Sequence, residues 1–495
     1  MGSAQGLDPA SGGAGPISSH PAVARLFAER PRPRRIRDWR HAHWLAVASV
    51  CLGAFMGQLD ASITTLTFPA LQRGFGVPLA AVEWVSLSYL LVLVALLTPV
   101  GRLSDLLGRK AMYLWGFVVF TAASLLCGLA GQLWLLIAFR ALQAVGAALM
   151  QANSVALVST AMPRDRIRSG LGVQAAAQAI GLALGPTLGG LLVEGAGWRW
   201  VFWVNVPVGA VALVAGYYLL PRTRTADGRI GGVRAPAAGA GRRFDLGGLA
   251  LLAAATTSAL LALSAASGLD LPGWAVALLL VLAAGFGGVL VRRERRVESP
   301  LIDPRMLTAK GVRGGLLAGV FGYLLLFCPL VLVPELLGAK GVGASASGLL
   351  LTALPAAFAV SATAGGALVP RGWGDRARAA AGSLVSACGL GGLIAATALG
   401  APDAALVPGL AAVGWGLGLL LPANNALVMR AIPSEQAGAA GGLVNMTRGL
   451  GTSLGVALPA LGVHLAGVAG GSVWVLGVLA AAAVGVCAGT ARGPR

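Results

Sequence analysis

The chain has 495 residues, 57% of them hydrophobic and 11% charged, with a net charge of +19 and a mean hydropathy of +0.79. A water-soluble domain carries about 25% charged residues, so this composition excludes a soluble globule and divides the length into membrane spans instead of soluble domains. The positive charge does not indicate nucleic acid, because the basic residues fall in short segments between apolar runs.

Residues 1–43 are polar and rich in Gly, Pro, Ala and Arg, and read as a disordered, basic cytoplasmic leader. They contain no apolar core with a cleavage site, so the first span is expected to act as an uncleaved targeting signal. Fourteen runs then follow, each with the roughly 20 apolar residues that a membrane helix needs. Their limits are 44–70, 81–101, 111–130, 133–159, 168–194, 200–220, 246–267, 273–291, 312–337, 345–369, 377–399, 404–430, 436–466 and 470–490. No β-barrel alternation is present, so the predicted class is all-α with fourteen transmembrane helices.

With the N-terminus inside, the inner segments hold 32 of the 37 Lys and Arg, against Arg73, Arg199 and Lys340 outside. This bias places both termini in the cytoplasm. The remaining two, Arg140 and Arg448, fall within spans. Gly101–Lys110 (GRLSDLLGRK) is echoed by VPRGWGDRAR over 369–378, with Asp375 where Asp105 stands. Aligning the two pairs spans 1–6 (44–220) with spans 9–14 (312–490). Spans 7 and 8 with their basic connectors (221–311) remain as an insertion, and 491–495 form a tail.

Asp60 in span 1 is the most informative residue. A carboxylate at membrane depth costs at least about 2.5 kcal/mol and is usually functional. At 1.5 Å per residue, Asp60 lies about 15 Å and Arg140 in span 4 about 10 Å from the outer surface. The two are therefore candidates for a pair or a shared water pocket. Burial favours the protonated carboxyl and a nearby guanidinium the ionised one, so a transporter that moves the pair apart could let Asp60 bind a proton, a substrate cation, or each in turn. A permanent structural ion pair is the alternative. Arg448 lies near mid-membrane in span 13, either as a cavity charge or paired with groups such as Asn445. Glu83 and Glu335 sit near outer helix ends, where snorkelling to the headgroups explains them more cheaply than a coupling role, which is the alternative. Gln58, Gln143, Gln178 and Asn424, with Arg448, are candidate cavity-lining residues. Few membrane carboxylates argue for neutral or monocationic cargo.

In Gly101–Lys110, Gly101 and Gly108 permit a tight turn. Asp105 and Arg109 stand four residues apart, within reach on a helical turn, in an exposed pair worth about 0–1 kcal/mol. Lys110 completes the cluster, which also reads as a simple topogenic signal. In span 5, Gly181, Gly185, Pro186, Gly189 and Gly190 make a thin face for close helix packing, and Pro186 interrupts the backbone hydrogen bonds. The five cysteines are odd in number, lie in apolar segments and form no CxxC pair, so they read as packing residues. The four histidines are too scattered to hold a metal. No phosphate-binding loop, HExxH or GxSxG appears. The chain is therefore not expected to be an enzyme or to need a cofactor.

Together these motifs resemble the major facilitator superfamily, and specifically its fourteen-helix drug:proton antiporter branch. The resemblance is carried by Gly101–Lys110, by LDASITTLTFPAL from Leu59, by RALQAVGAA from Arg140, by GLALGPTLGG from Gly181, by WRWVFWVNVPVG from Trp198, and by spans 12–13. It departs at Ala144, where the family usually has Gly, and at Glu335, near which the branch often has Gln. It implies two six-helix bundles rocking about a central site, proton coupling at Asp60 and Arg140, and a latch between the halves at Gly101–Lys110. For the span-5 glycine face it implies sealing of the cavity on one side. The expected activity is export of a small amphipathic or apolar compound in exchange for protons across the cytoplasmic membrane, by a monomer driven by the proton gradient. A proton-coupled nutrient symporter or uniporter is the alternative, and a non-transporting membrane scaffold or receptor a third.

Overall fold

A computed structural model describes residues 29, 31–163, 166–223, 245–269, 271–297, 311–368, 373–432 and 437–491. Among the described residues every regular element is helical. The membrane helices are α1 (Ala42–Ile63), α2 (Trp84–Leu107), α3 (Arg109–Leu129), α4 (Leu133–Ala161), α5 (Ile167–Gly195), α6 (Asn205–Leu219), α7 (Leu246–Ala266) and α8 (Gly273–Glu294). They continue with α9 (Val312–Ala339), α10 (Ala353–Leu368, preceded by Ala344–Leu351), α11 (Asp375–Ala398) and α12 (Leu406–Arg430). The last helix, Ala437–Ala491, breaks at Ala466 (φ −135°) and Gly467 (φ 68°, ψ 178°). The break turns the chain back on itself, so that Gly471 packs against Gly462. The two limbs, α13 (437–465) and α14 (468–491), complete the expected fourteen.

The helix ends follow from local chemistry. One end of the molecule carries the turns at Gly76, Gly197 and Gly341, all with positive φ. There Gly76 closes its helix by donating to the Gln72 carbonyl. The opposite end carries the turn at Gly108, where φ is 105°. Gly101–Lys110 is not a loop: α2 runs through Leu107 and only Gly108 turns. The stretch RLSDLL has no helix breaker, and a single Gly101 is tolerated within a helix. Residues 31–43 also depart from the expected disorder, since a helical turn at Arg34–Arg37 leads into α1.

Two hydrophobic cores divide the molecule. One is built mainly from α1–α6 and the other mainly from α9–α14. Glycines set corresponding seams in both. A Cβ on Gly116 of α3 would meet the Gly146 carbonyl of α4, and one on Gly382 of α11 the Gly416 carbonyl of α12. α7 and α8 lie outside the bundles; none of the most apolar stretch of α8 is buried.

Candidate functional site

Asp60 is completely buried near the end of α1. Just beyond it, Ser62, Thr64, Thr65 and Thr67 bond back to carbonyls three or four residues earlier. Such back-bonding disturbs a helix, and here α1 tightens into a 3₁₀ turn over Thr64–Thr67. Asp60 thus stands one turn from an irregular backbone, where α1 meets α4 and α6.

Three donors converge on its carboxylate. Arg140 Nη1 reaches Oδ2 at 2.6 Å, while Gln143 Nε2 at 3.0 Å and Asn205 Nδ2 at 3.1 Å reach Oδ1. Both oxygens act only as acceptors, the pattern of an ionised carboxylate. The network extends through Gln143 to the Ser124 hydroxyl at 2.7 Å, and through Arg140 Nε to the Val85 carbonyl at 3.0 Å. The Tyr89 ring covers the guanidinium, 4.3 Å from centroid to carbon. Five helices of the first bundle meet on one ion pair.

Arg140 also lines a pocket of about 10 Å³ with Ser86, Tyr89, Phe327, Thr452 and Val456, the room of about one water. Three of those residues belong to the second bundle, so the network borders the space between the bundles. Tyr89, Leu90, Ala61, Phe327 and Thr452 are shared with a larger central cavity of about 80 Å³, room for several waters. Its wall is mostly apolar and includes Gln58, Gln151, Gln178 and Asn445. Arg448 is the one charged side chain among its described lining residues.

This arrangement sorts the sequence candidates. Gln58, Gln178 and Arg448 line the cavity, whereas Gln143 and Asn424 do not. Gln143 is consumed by the Asp60 network, and Asn424 donates to the Gly315 carbonyl at 2.8 Å. Glu83 does not snorkel: it is completely buried. Glu335 accepts from Gln72 Nε2 at 2.7 Å, across the two bundles. Asn205, Tyr89 and Ser124 were not singled out from the sequence. An asparagine inside the apolar span 6 was the available signal, because polar groups at that depth face protein, not lipid.

Lys110, expected in an inter-bundle latch, lies within the first bundle. Its ammonium donates to the Tyr217 and Leu220 carbonyls at 2.9 and 2.7 Å. A buried ammonium must be bonded, and the open carbonyls at the end of α6 supply its acceptors. Glu29 caps the start of α3, accepting from the Lys110 amide at 3.1 Å and from Thr223. Arg109 donates its amide to Thr223 Oγ1. The Asp105 side chain lies outside the described residues.

The span-5 glycines form two stripes instead of one face. A Cβ on Gly181, Gly185 or Gly189 would strike α1 at Phe55, Ser62 or Ile63, whereas one on Gly190 would strike the Ala344 carbonyl of the second bundle. Opposite it, a Cβ on Gly348 would strike the Pro186 carbonyl. Thr187 bonds Thr352 at 2.6 Å, and Glu194 accepts from the Ser345 amide at 2.7 Å. With the Gln72–Glu335 bond, these contacts hold the bundles together at the Gly76 end.

Comparison with known proteins agrees with this architecture. The family model of the Major Facilitator Superfamily matches residues 50–456. The riboflavin transporter RibZ of Clostridioides difficile (strain 630) is 28% identical over 415 residues, covering 84% of this chain and 87% of that protein. The tetracenomycin C resistance and export protein of Streptomyces glaucescens is 31% identical over 432 residues, 86% of this chain and 76% of that one. Among solved structures, a peptide transporter POT in complex with sulfate superposes with a TM-score of 0.67 at 13% identity, covering 94% of this chain and 96% of that one. At that identity the likeness concerns the fold.

Proposed function

The chain belongs to the Major Facilitator Superfamily, and from this we propose that it exports small amphipathic compounds from the cytoplasm in exchange for protons, by alternating access. As a member it is a membrane transporter and not an enzyme, and its relatives include drug- and antibiotic-export proteins. The observation that carries the proton-exchange reading is the Asp60 network, fully buried yet separated from the second bundle by a water-sized pocket at Arg140.

Protonation of Asp60 converts an acceptor oxygen into an O–H donor, which opposes the three donors now aimed at it. At least one hydrogen bond is lost, and Arg140 is released towards the pocket wall formed by Phe327, Thr452 and Val456. A proton on α1 thereby acts on the contact between bundles, which is what rocking about a central site requires. The excess of basic residues at the Gly108 end supports placing that end, and both termini, in the cytoplasm of a cell bounded by its cytoplasmic membrane. No cofactor enters this scheme, and a monomer suffices because one chain supplies the whole site.

Arg448 bears on the cargo. Neutral or monocationic compounds were expected from the scarcity of acids. A guanidinium as the charged group of the cavity wall instead favours neutral or anionic amphipathic molecules.

The test is transport by the purified chain in proteoliposomes with an imposed pH gradient, against anionic, neutral and cationic dyes. Movement of a compound opposite to the protons supports the proposal, and transport indifferent to the gradient overturns it. Movement with the protons supports nutrient symport, a reading favoured by the resemblance to a riboflavin transporter.

A further inference from the structure

Glu83 is wholly buried where α2 begins, and neither carboxyl oxygen has a hydrogen-bond partner. It faces the second bundle, near the Ala460 backbone of α13 and within electrostatic reach of Glu335 and Cys328 on α9. The surrounding titratable and charged groups supply no cation to it. Glu335 is an acid already served by Gln72 and near Arg73. Cys328 is a buried thiol, and His464, one turn beyond Ala460, lies against Gly268. On the side of α7, Ser264 accepts from Trp84, not from Glu83. Among the described residues the Ala460 backbone is the one donor near it, and it falls outside good hydrogen-bond geometry. An ionised carboxylate buried with no better donor and no cation is very costly, so in this conformation Glu83 is occupied by a proton.

Two facing stripes link it to the described network. On α2, Ser86 follows Glu83 at about 4.5 Å of helix rise, its hydroxyl also buried without a partner, and Tyr89 and Leu90 come next. On the antiparallel α13, Ala460, Val456 and Thr452 form the opposing stripe. Ser86, Tyr89, Leu90, Val456 and Thr452 all line the small pocket that Arg140 also lines.

We infer that Glu83 is a second proton-binding site, loaded while the bundles are parted at the Gly76 end, kept protonated by their closure there, and unloaded through Ser86 and the pocket beside Arg140 towards the central cavity, so that it carries one proton inward per cycle besides the one at Asp60. This rests on the proposal that protons drive transport at Asp60. It adds that a second carboxyl, buried by the closed bundle contact, senses opening at the opposite end.

The experiment combines infrared pH-difference spectra with the proton-to-substrate ratio measured in proteoliposomes, for wild type, Glu83→Gln and Asp60→Asn. The expected result is a protonated-carboxyl band that disappears on alkalinisation, is absent in Glu83→Gln and persists in Asp60→Asn, with the ratio lowered by one proton in Glu83→Gln. A Glu83→Gln protein with the wild-type band and ratio overturns the inference. If Asp60→Asn keeps full proton coupling, the proposal at Asp60 fails instead, so the two failures are distinguishable. Should Glu83→Gln fail to reach the membrane, the wild type is treated with a hydrophobic carbodiimide, which modifies protonated carboxyls. Labelling of the Glu83 peptide that falls with rising pH is expected, and an unlabelled peptide overturns the inference.

Discussion

Arg140 Nη1 lies 2.6 Å from Asp60 Oδ2, with the side chains 1% and 0% exposed. A pair this buried adds little net stability, because desolvation offsets its attraction, yet removing one partner costs about 3–5 kcal/mol. It suits a switch better than a brace, because changing one proton alters its energy by much more than its net contribution to the fold.

Asp60→Asn is therefore expected to abolish pH-gradient-driven transport while the protein still inserts. The amide keeps the size and one acceptor but loses the charge that holds Arg140. Dye flux in proteoliposomes, with membrane content measured by immunoblot, reads both parts. Full gradient-driven flux would remove Asp60 from the coupling scheme.

Arg140→Lys is expected to lose most transport as well, although the charge is retained. Lysine cannot contact Asp60, Gln143 and the Val85 carbonyl together, nor reproduce the stacking of the planar group against Tyr89. Flux at or near the wild-type rate would show that charge alone suffices.

Arg448→Gln is expected to shift selectivity. Anionic dyes should lose about tenfold in apparent affinity, equivalent to about 1.4 kcal/mol, while cationic dyes gain or stay level. A panel of matched anionic and cationic fluorophores measures the ratio. An unchanged ratio would mean that the guanidinium does not meet the cargo.

Gly190→Leu is expected to reduce flux at least about tenfold, because its side chain enters the space held by the Ala344 carbonyl and holds the bundles apart at the Gly76 end. Cross-linking between cysteines placed at Thr187 and Thr352 gives the structural readout: it should form readily in the otherwise unchanged protein and weakly in the variant. Equal cross-linking would contradict the tight closure.

Lys110→Met is expected to lower thermal stability more than it alters substrate affinity. It leaves the Tyr217 and Leu220 carbonyls without their shared donor, at about 1–3 kcal/mol for each unsatisfied group. Thermal unfolding in detergent, compared with dye affinity, separates the two effects.

The fourteen helices were legible in advance because apolar length is a local property. Even the break at Ala466–Gly467 falls between two runs read as separate spans. The pairing of Asp60 with Arg140 was also legible, since depth follows from counting residues along each helix. Gln143, Asn424 and Glu83 were not. Each was placed at the right depth, but what a side chain faces depends on the rotation of its helix and on the neighbour opposite, and residue counting supplies neither. Lys110 went astray for a related reason: its acceptors at Tyr217 and Leu220 lie more than a hundred residues away.

What the amino-acid order determined by itself is the number, length and charge-biased arrangement of the spans. Lipid offers backbone groups no partners, so each crossing must be a self-satisfied helix wherever it ends up. What only the tertiary structure decided is which polar groups meet. Gln72 with Glu335, Thr187 with Thr352, and Glu83 with no neighbouring cation are outcomes of two bundles packing against each other, a contact set by shape across the interface that no single helix encodes.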